Sequence, residues 1–329
     1  YQGTYIYSRV DGDVLGLQGS GIATSAGGNL RGLQGAGIAS VTGDDLNGLQ
    51  GSGIVSIIGN DLGGLQGAGI VSVLGDNLSG IQASGIINTV GGDIQGLQAA
   101  GIFNYADGKV LGAQFGLLNF AKESLTGVQN GLLNVTGEFT GLRYGLINVA
   151  DKMVGMPMGL LNVADTMSGL QIGLVNIADH IDGVPIGLVN IADNGDVKGI
   201  VYASLPSLGN VGAKFIVNNF YSIVAVGGYD QRNENEDYRS FSWHYGYQLP
   251  LGNFYLGADI GNQILFEPSE YDFEEESTFR SMQFRVLAGV DLMDGFGIFA
   301  GVGGAWENWG IDFDDGTGEP VVVAGLTFF

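Results

Sequence analysis

Hydrophobic and polar residues follow two different patterns along the chain, and the change falls near residue 199. Before it, short runs rich in Leu, Ile and Val are separated by Gly, Asn and Asp at regular intervals. After it, apolar and polar residues alternate one by one over long stretches. Short β-branched runs between turn residues and a period of two are both typical of β-strands. The pattern therefore predicts an all-β protein with two different parts.

The first part repeats a unit of 16 residues, which is later shortened to 14. One copy reads GLQGSGIVSIIGNDLG from Gly48, and the copies fill residues 11–198. Twelve glycines mark the units: Gly16, Gly32, Gly48, Gly64, Gly80, Gly96, Gly112, Gly127, Gly141, Gly155, Gly169 and Gly183. A fixed period of this kind indicates a repeat architecture in which each unit packs on its neighbours. Residues 1–10 precede the repeats and are expected to form an N-terminal strand or cap.

Aligned copies place the same residue type at the same position of the unit. A Gln column runs from Gln18 to Gln129 and returns at Gln171, and a second column changes from Thr or Ser to Asn at Asn88 and ends at Asn190. Two apolar columns comprise Leu17, Leu33, Leu49 and Leu65, and Ile22, Ile38, Ile54 and Ile70. We expect the Leu and Ile columns to form the core and the polar columns to form hydrogen-bonded ladders.

Two all-β architectures fit the repeat. In a solenoid each unit is one coil and identical residues stack about 4.8 Å apart. In an antiparallel meander each unit is one strand with a turn. The Asn column favours the solenoid, because identical amides bond best in register. The alternation of Ser and Ala from Ser20 to Ala100 favours the meander, as does the repulsion expected among stacked Asp151, Asp165, Asp179 and Asp193. The solenoid is our prediction and the meander its alternative.

Residues 199–329 predict an antiparallel β-barrel, or a barrel-like sheet, of outer-membrane type. Apolar Met282, Phe284 and Val286 alternate with polar Gln283 and Arg285, and long acidic connections alternate with short ones. These features are typical of outer-membrane barrels, of which the smallest common form has eight strands. A soluble antiparallel sandwich is the alternative. The predicted strands are 199–205, 210–216, 220–228, 239–248, 253–265, 279–292, 296–308 and 320–329.

Composition restricts the classes of function. The chain has 34 acidic and 12 basic residues and a net charge of −22, which argues against nucleic acid as a partner, since phosphates are neutralised by Lys and Arg. Absence of Cys excludes disulfides and thiolate metal sites. No apolar run is long enough for a transmembrane helix. The chain begins with Tyr1 rather than Met, from which we expect a processed, exported protein.

Few residues have the spacing of a catalytic or binding site. The segment GLQGSGI contains neither phosphate-loop fingerprint. His180 lies in a variable turn and His244 on the inward face of a predicted strand, and neither sits in a recognisable triad. Arg285 is expected to form a buried ion pair with Asp259 or Asp291, as packing inside a barrel.

Acidic turns are the remaining candidates for metal binding. The column from Asp151 to Asp193 is the best of them. Asp312, Asp314, Asp315 and Glu319 look like a short calcium loop, but the ligand spacing of such loops is missing. Solvated turns explain both groups more simply. The sequence therefore predicts no catalytic, cofactor-binding or metal-binding residues and no cofactor.

The phrase GVPIGLVNIAD, followed by a turn and NNFYSIVAVGGY, resembles a group of bacterial cell-envelope proteins. These proteins carry tandem GLQxGLxN surface repeats of 14–16 residues and are of the Bacteroidota and spirochaete type. The likeness covers residues 80–228 best, and the GSG form of the early units departs from it. It implies export to the envelope, with a surface or outer-membrane location. It supplies no activity.

Together these observations predict a non-enzymatic protein of the outer membrane or cell surface of a Gram-negative bacterium. Its role would be that of a structural or interaction scaffold, an adhesin, or a subunit of a larger envelope assembly. Its partners would be other envelope proteins, copies of itself, or outer-membrane lipid. The alternatives are a carbohydrate-active β-helix enzyme and a soluble surface adhesin without a barrel. Coils of 14–16 residues leave little room for the carboxylate-lined cleft that such an enzyme needs.

Overall fold

The computed structural model describes residues 2–204, 209–230, 237–266, 278–293, 295–307 and 318–328. Within these ranges all regular structure is β, and no helix is long and apolar enough to cross a membrane. The strands are β1 (Gln2–Thr4), β2 (Tyr7–Val10), β3 (Val14–Ser20), β4 (Ala23–Ala26), β5 (Leu30–Ala36), β6 (Ala39–Thr42), β7 (Leu46–Ser52), β8 (Val55–Ile58), β9 (Leu62–Ala68), β10 (Val71–Leu74), β11 (Leu78–Ser84), β12 (Ile87–Val90), β13 (Ile94–Ala100), β14 (Phe103–Ala106), β15 (Lys109–Phe115), β16 (Leu118–Asn130), β17 (Leu133–Tyr144), β18 (Ile147–Ile186), β19 (Val189–Ala192), β20 (Gly195–Ser204), β21 (Gly209–Val217), β22 (Phe220–Asp230), β23 (Asp237–Leu251), β24 (Phe254–Phe266), β25 (Thr278–Met293), β26 (Phe296–Glu307) and β27 (Gly318–Phe328).

The repeats form a parallel β-solenoid, as predicted. Each early coil contributes one long and one short strand, such as β5 and β6, and each pairs in parallel with its equivalent one coil later. Leu30 is thus opposite Leu46, and Ser40 is opposite Ser56. Strands β1 and β2 pair in the same way with β3 and β4. This parallel register excludes the meander, and it places the alternating Ser and Ala residues beside each other in neighbouring coils.

The interior of the coil differs from our prediction. We expected the Leu33 and Ile38 columns to form the core, but their side chains are 45% and 44% exposed. The interior is lined instead by Leu30, Gln34 and Ser40 and their equivalents. The reason is the alternation of side chains along a strand: once Leu30 and Gln34 point inward, Leu33 beside Gln34 must point outward.

One glycine in each long strand has a backbone conformation that other residues rarely adopt. Gly64 has φ +136°, and all twelve glycines that mark the repeat, Gly64 included, have φ between +104° and +143°. A Cβ atom at Gly64 would also overlap the carbonyl oxygen of Gly48 in the preceding coil. From Gly32 to Gly169, the glycines that mark the repeat are therefore required by both backbone angle and coil stacking.

Strands β20–β27 form a closed antiparallel barrel, as predicted. Each strand pairs with the next, and β27 closes the barrel on β20, with Phe328 opposite Gly199. The number of strands and their approximate limits agree with the prediction. Tight turns at Asn218 and Gly252, both with positive φ, join strands at one end. Most of the predicted acidic connections lie outside the described residues.

The chain forms two compact units, Tyr1–Leu170 and Gln171–Phe329, and the second unit contains the last coils and the barrel. Within that unit, the final coil is hydrogen-bonded to barrel strand β22. Asn190 Nδ2 donates to Ser222 Oγ at 3.3 Å, and Ser222 Oγ donates to the carbonyl oxygen of Leu188 at 2.9 Å. Asn218 Nδ2 donates to the carbonyl oxygen of Ile181 at 3.1 Å. The barrel is therefore tied to the coil that precedes it.

Candidate functional site

A continuous ladder of Gln side chains lies inside the first unit. From Gln34 to Gln129 each Nε2 donates to the Oε1 atom of the Gln one coil earlier, for example at 2.9 Å from Gln34 to Gln18 and at 2.8 Å from Gln114 to Gln98. Gln34 Nε2 also donates to the carbonyl oxygen of Val41 on the facing short strand, at 3.0 Å. From Gln34 to Gln114 each carboxamide thus links neighbouring coils and the two strands of its own coil, as buried polar groups require.

The second polar column forms a parallel ladder, which confirms that prediction as well. Asn88 Nδ2 donates to Asn104 Oδ1 at 3.1 Å, and the same bond recurs along the column as far as Asn162 in the first unit. In the earlier coils Ser replaces Asn, and Ser56 Oγ donates to the carbonyl oxygen of Gly67 at 2.8 Å. The two ladders therefore account for most of the polar interior of the coils.

Arg143 interrupts the Gln ladder one coil after Gln129. Its side chain is fully buried, lies 4.0 Å from the ring centroid of Phe139, and donates to Thr136 Oγ1 and to the carbonyl oxygen of Val149. Among the described residues it forms no ion pair, and burial lowers its pKa to about 9. Arg143 Nε and Gln129 Oε1 both lack a hydrogen-bond partner. The ladder thus contains a buried cation without a counterion.

Arg143→Gln is expected to raise the free energy of unfolding by about 1–3 kcal/mol. A Gln at this position can donate to Gln129 Oε1 and to the carbonyl oxygen of Val149, and it removes the uncompensated charge. Urea unfolding of the full chain in detergent, followed by circular dichroism, measures the change. Arg143→Met is the control, because it removes the charge without restoring the ladder and should gain less. Equal or lower stability of Arg143→Gln would contradict this account.

The outer corner of the early coils carries a third, exposed column of Asp and Asn residues, which the sequence analysis recognised as turn residues but did not predict to be a hydrogen-bonded column. Asp61 Oδ1 accepts from the backbone nitrogen of Asn77 at 3.0 Å, and Asn77 Oδ1 accepts from that of Asp93 at 2.9 Å. Beside this corner lies an open groove of about 840 Å³, to which Ser79 and Gln95 contribute side chains. The recurrence of Asp or Asn every 16 residues is the signal that could have found it. The groove offers hydroxyl, amide and carboxylate groups to a polar partner.

The barrel interior contains a buried ion pair. Arg285 Nε donates to Asp259 Oδ1 at 2.8 Å and Arg285 Nη2 donates to Asp259 Oδ2 at 2.9 Å, which confirms the predicted pair and identifies Asp259 as the partner. The hydroxyl of Tyr221 donates to the same carboxylate at 2.9 Å. Asp291 instead lies 3.3 Å from Lys198 Nζ. These interactions support the interpretation of Arg285 as a packing residue inside the barrel.

His244 points into the barrel, as predicted, and is buried. Its Nε2 atom lies 3.3 Å from Gln283 Oε1, and Gln283 Nε2 donates to Gln263 Oε1 at 2.7 Å. Lys214 Nζ donates to Gln248 Oε1 at 2.8 Å elsewhere in the interior. The neighbours of His244 in this network are amides, not the carboxylate that orients a triad histidine. The inward side chains are buried, so the described interior is filled with protein atoms.

The outer surface of the barrel is apolar. Hydrophobic side chains exposed on its strands are Val197, Val201, Val211, Val226, Trp243, Tyr247, Leu249, Leu251, Phe254, Leu256, Ile260, Phe284, Val286, Leu292, Met293, Ile298, Val302, Trp306, Val322, Leu326 and Phe328. The inward positions between them hold both polar side chains, of Ser, Asn, Gln, Lys, Asp and Arg, and a hydrophobic cluster that includes Tyr202, Tyr221 and Leu287. Apolar side chains thus dominate the exposed surface while many charged and amide side chains are buried, which is unusual for a soluble globular domain.

The other candidate residues are not brought together in a site. His180 is exposed, and so are Asp151, Asp165, Asp179 and Asp193. Across the described ranges, no group of three or more His, Asp or Glu side chains is placed to hold a metal ion. Asp312, Asp314 and Asp315 lie outside the described residues, and Glu319 is exposed at the start of β27. The GLQGSGI segment continues into strand β8, not into the helix that a phosphate loop needs.

Comparison with known proteins identifies no relative: no family model, no curated protein and no solved structure matches the chain.

Proposed function

We propose that the protein is a non-enzymatic outer-membrane protein of a Gram-negative bacterium, in which the barrel is the lipid anchor and the solenoid is a scaffold for interactions. The observation that carries this proposal is the largely apolar outer surface of a closed eight-stranded barrel whose charged and amide side chains are buried inside. Membrane barrels have this distribution because lipid surrounds them and closure leaves no strand edge unpaired. In water the same surface would be an aggregation hazard.

The filled interior supports an anchor more than a pore. Tyr202, Tyr221, Leu287 and Phe299 pack together in the barrel, beside the ion pair of Arg285 and Asp259. Eight strands enclose a space that side chains can fill, whereas pores require wider barrels. The barrel interior therefore favours attachment to the membrane over transport of a solute.

The solenoid supports a scaffold more than an enzyme. Most of its buried amide side chains are engaged in ladders, and the carboxylates beside the groove, such as Asp61 and Asp93, accept backbone hydrogen bonds at exposed positions. A glycan hydrolase needs two carboxylates in contrasting environments. Long solenoid flanks are suited to binding extended partners, for which other envelope proteins or further copies of this chain are our candidates.

Membrane fractionation of cells that produce the protein tests the anchor. We expect the protein to remain in washed membranes, to require detergent for extraction, and to migrate differently on gels before and after heating, as folded membrane barrels do. A soluble protein without a heat-dependent shift would overturn the anchor. Cleavage of envelope glycans that is lost in Asp61→Asn or Asp93→Asn would overturn the non-enzymatic role.

A further inference from the structure

The outward-facing residues of the solenoid coils form a second large apolar surface in the first unit. In the coil of β5 and β6 the outward side chains are Leu33, Ile38, Ala39 and Val41, on both sides of the bend at residues 37–38. We call this surface, repeated over ten coils between residues 17 and 163, the apolar arc. Its most exposed members are Leu17, Leu33, Leu49, Leu65, Ile81 and Leu142, and Ile22, Ile38, Ile54, Ile70, Ile86, Ile102, Leu117, Leu132, Leu146 and Leu160.

The apolar arc carries no charge. The ten segments that build it are 17–25, 33–41, 49–57, 65–73, 81–89, 97–105, 113–120, 128–135, 142–149 and 156–163, all within the described residues. They contain one charged residue, Arg143, and its side chain points into the coil. The other charged residues between 17 and 163 lie outside these segments, at the Asp and Asn corner and on the strand positions beside it. The coils are therefore amphipathic around their perimeter.

Most side-chain amides of the arc-forming segments are turned inward, whereas Ser25 and Thr89 are half-buried at outward positions and Asn130 and Tyr144 are exposed. The Gln and Asn ladders use the side-chain amides, and the backbone amides are paired with neighbouring coils. A largely apolar exterior over an interior that holds hydrogen-bonded polar side chains is the distribution already described for the barrel. Contact with lipid requires it, because the hydrocarbon region cannot hydrogen-bond to exposed backbone or amide groups.

The size and shape of the apolar arc favour lipid, rather than a second copy of the chain, as the partner that covers it. At about 4.8 Å per coil and 3.3 Å per residue, one strand face measures roughly 45 by 13 Å, or about 600 Å². A stable protein interface buries about 800 Å² on each partner. Gln34 and Val41 are bonded across the interior, so the outward surfaces of the two strands point in different directions around the bend. A flat partner would cover one face and leave the other exposed, whereas acyl chains adapt to both.

We propose that the apolar arc is a lipid-binding surface, which lies in the boundary between the acyl chains and headgroups of a bilayer with the acidic corner in water. Amphipathic helices bind membranes by the same division of their perimeter. The net negative charge of the corner favours zwitterionic over anionic lipid. This inference goes beyond the proposed function, which assigns lipid contact to the barrel alone.

The absence of Cys from the chain permits a direct test with single-cysteine variants. Ile70→Cys places a fluorescent label on the apolar arc, and Ser79→Cys places one at an exposed position on the polar side. Each full-length variant is reconstituted in phosphatidylcholine vesicles with or without nitroxide-labelled acyl chains. We expect nitroxide lipid to quench the label at 70 roughly twofold more than the label at 79, and aqueous iodide to show the opposite order. Both variants alter exposed side chains and should fold normally.

Trp243 and Trp306 are exposed on the outer surface of the barrel, so their fluorescence tests separately whether the barrel contacts lipid. One outcome is that nitroxide lipid quenches Trp fluorescence while iodide reaches the label at 70. That result would overturn the proposal that the apolar arc binds lipid, but it would leave the proposed barrel anchor intact. A label at 70 that neither quencher reaches would overturn the same proposal for the apolar arc in favour of contact with a second copy. Absence of Trp quenching would overturn the proposed anchor itself.

Discussion

Asp259→Asn is expected to lower the free energy of unfolding of the barrel by about 3–5 kcal/mol. The carboxylate accepts two hydrogen bonds from Arg285, at 2.8 and 2.9 Å, and both side chains are almost fully buried. Removing the negative charge leaves a buried guanidinium without a counterion, and such a charge costs more than the broken hydrogen bonds alone. The fraction of protein with the mobility of the folded barrel, measured over a series of urea concentrations in detergent, gives the loss.

A second variant separates the ion pair from general damage to the interior. Asp259→Asn combined with Arg285→Met removes both charges and retains an oxygen that can accept from the Tyr221 hydroxyl. We expect this double variant to recover most of the lost stability, because well-packed apolar replacements of buried pairs are often neutral. Glu319→Gln, at an exposed position, is the control for loss of one negative charge and should have little effect. A double variant less stable than Asp259→Asn would contradict the assignment.

The partner of Arg285 illustrates what strand geometry adds to sequence. The sequence allowed Asp259 or Asp291, but Asp291 lies six residues further along β25, roughly 20 Å away at the rise of an extended strand. Asp259 lies directly opposite Arg285 on β24. The eight strands could be predicted because a period of two is a local signal. The partner of Arg285 could not be chosen from the sequence, because β24 and β25 are joined by a long connection and the register between them is not a local signal.

The solenoid shows a different limit. Its period and its ladders were predictable, because stacked coils place identical residues opposite each other, as at Gln66 and Gln82. The direction of the side chains was predicted wrongly, because Leu65 was assigned to the interior on the rule that apolar residues are buried. Adjacent residues of a strand point to opposite sides, so Leu65 and Gln66 cannot both be core. The unbroken run of Gln from Gln18 to Gln129 was the signal that favoured the amide.

Gly64→Ala is expected to destabilise the solenoid by about 3–5 kcal/mol, although it adds only one methyl group. Two costs combine. At φ +136° a residue with a side chain is strained, and the new Cβ atom would overlap the carbonyl oxygen of Gly48 in the preceding coil. That oxygen belongs to the backbone of a paired strand, so relief requires the two coils to separate locally. Urea unfolding followed by circular dichroism measures the loss.

Gly67→Ala is the matched control, three residues further along the same strand. No atom lies within 4 Å of a Cβ at Gly67, and the equivalent position one coil later is already Ala83. This change should therefore alter stability by less than about 0.5 kcal/mol, as surface substitutions usually do. Equal effects of the two variants would show that glycine in this repeat serves general flexibility. A large loss of stability confined to Gly64→Ala would mean that one glycine in each unit determines how closely neighbouring coils approach each other. This requirement explains why glycine occupies that position in every unit, while the residues beside it vary.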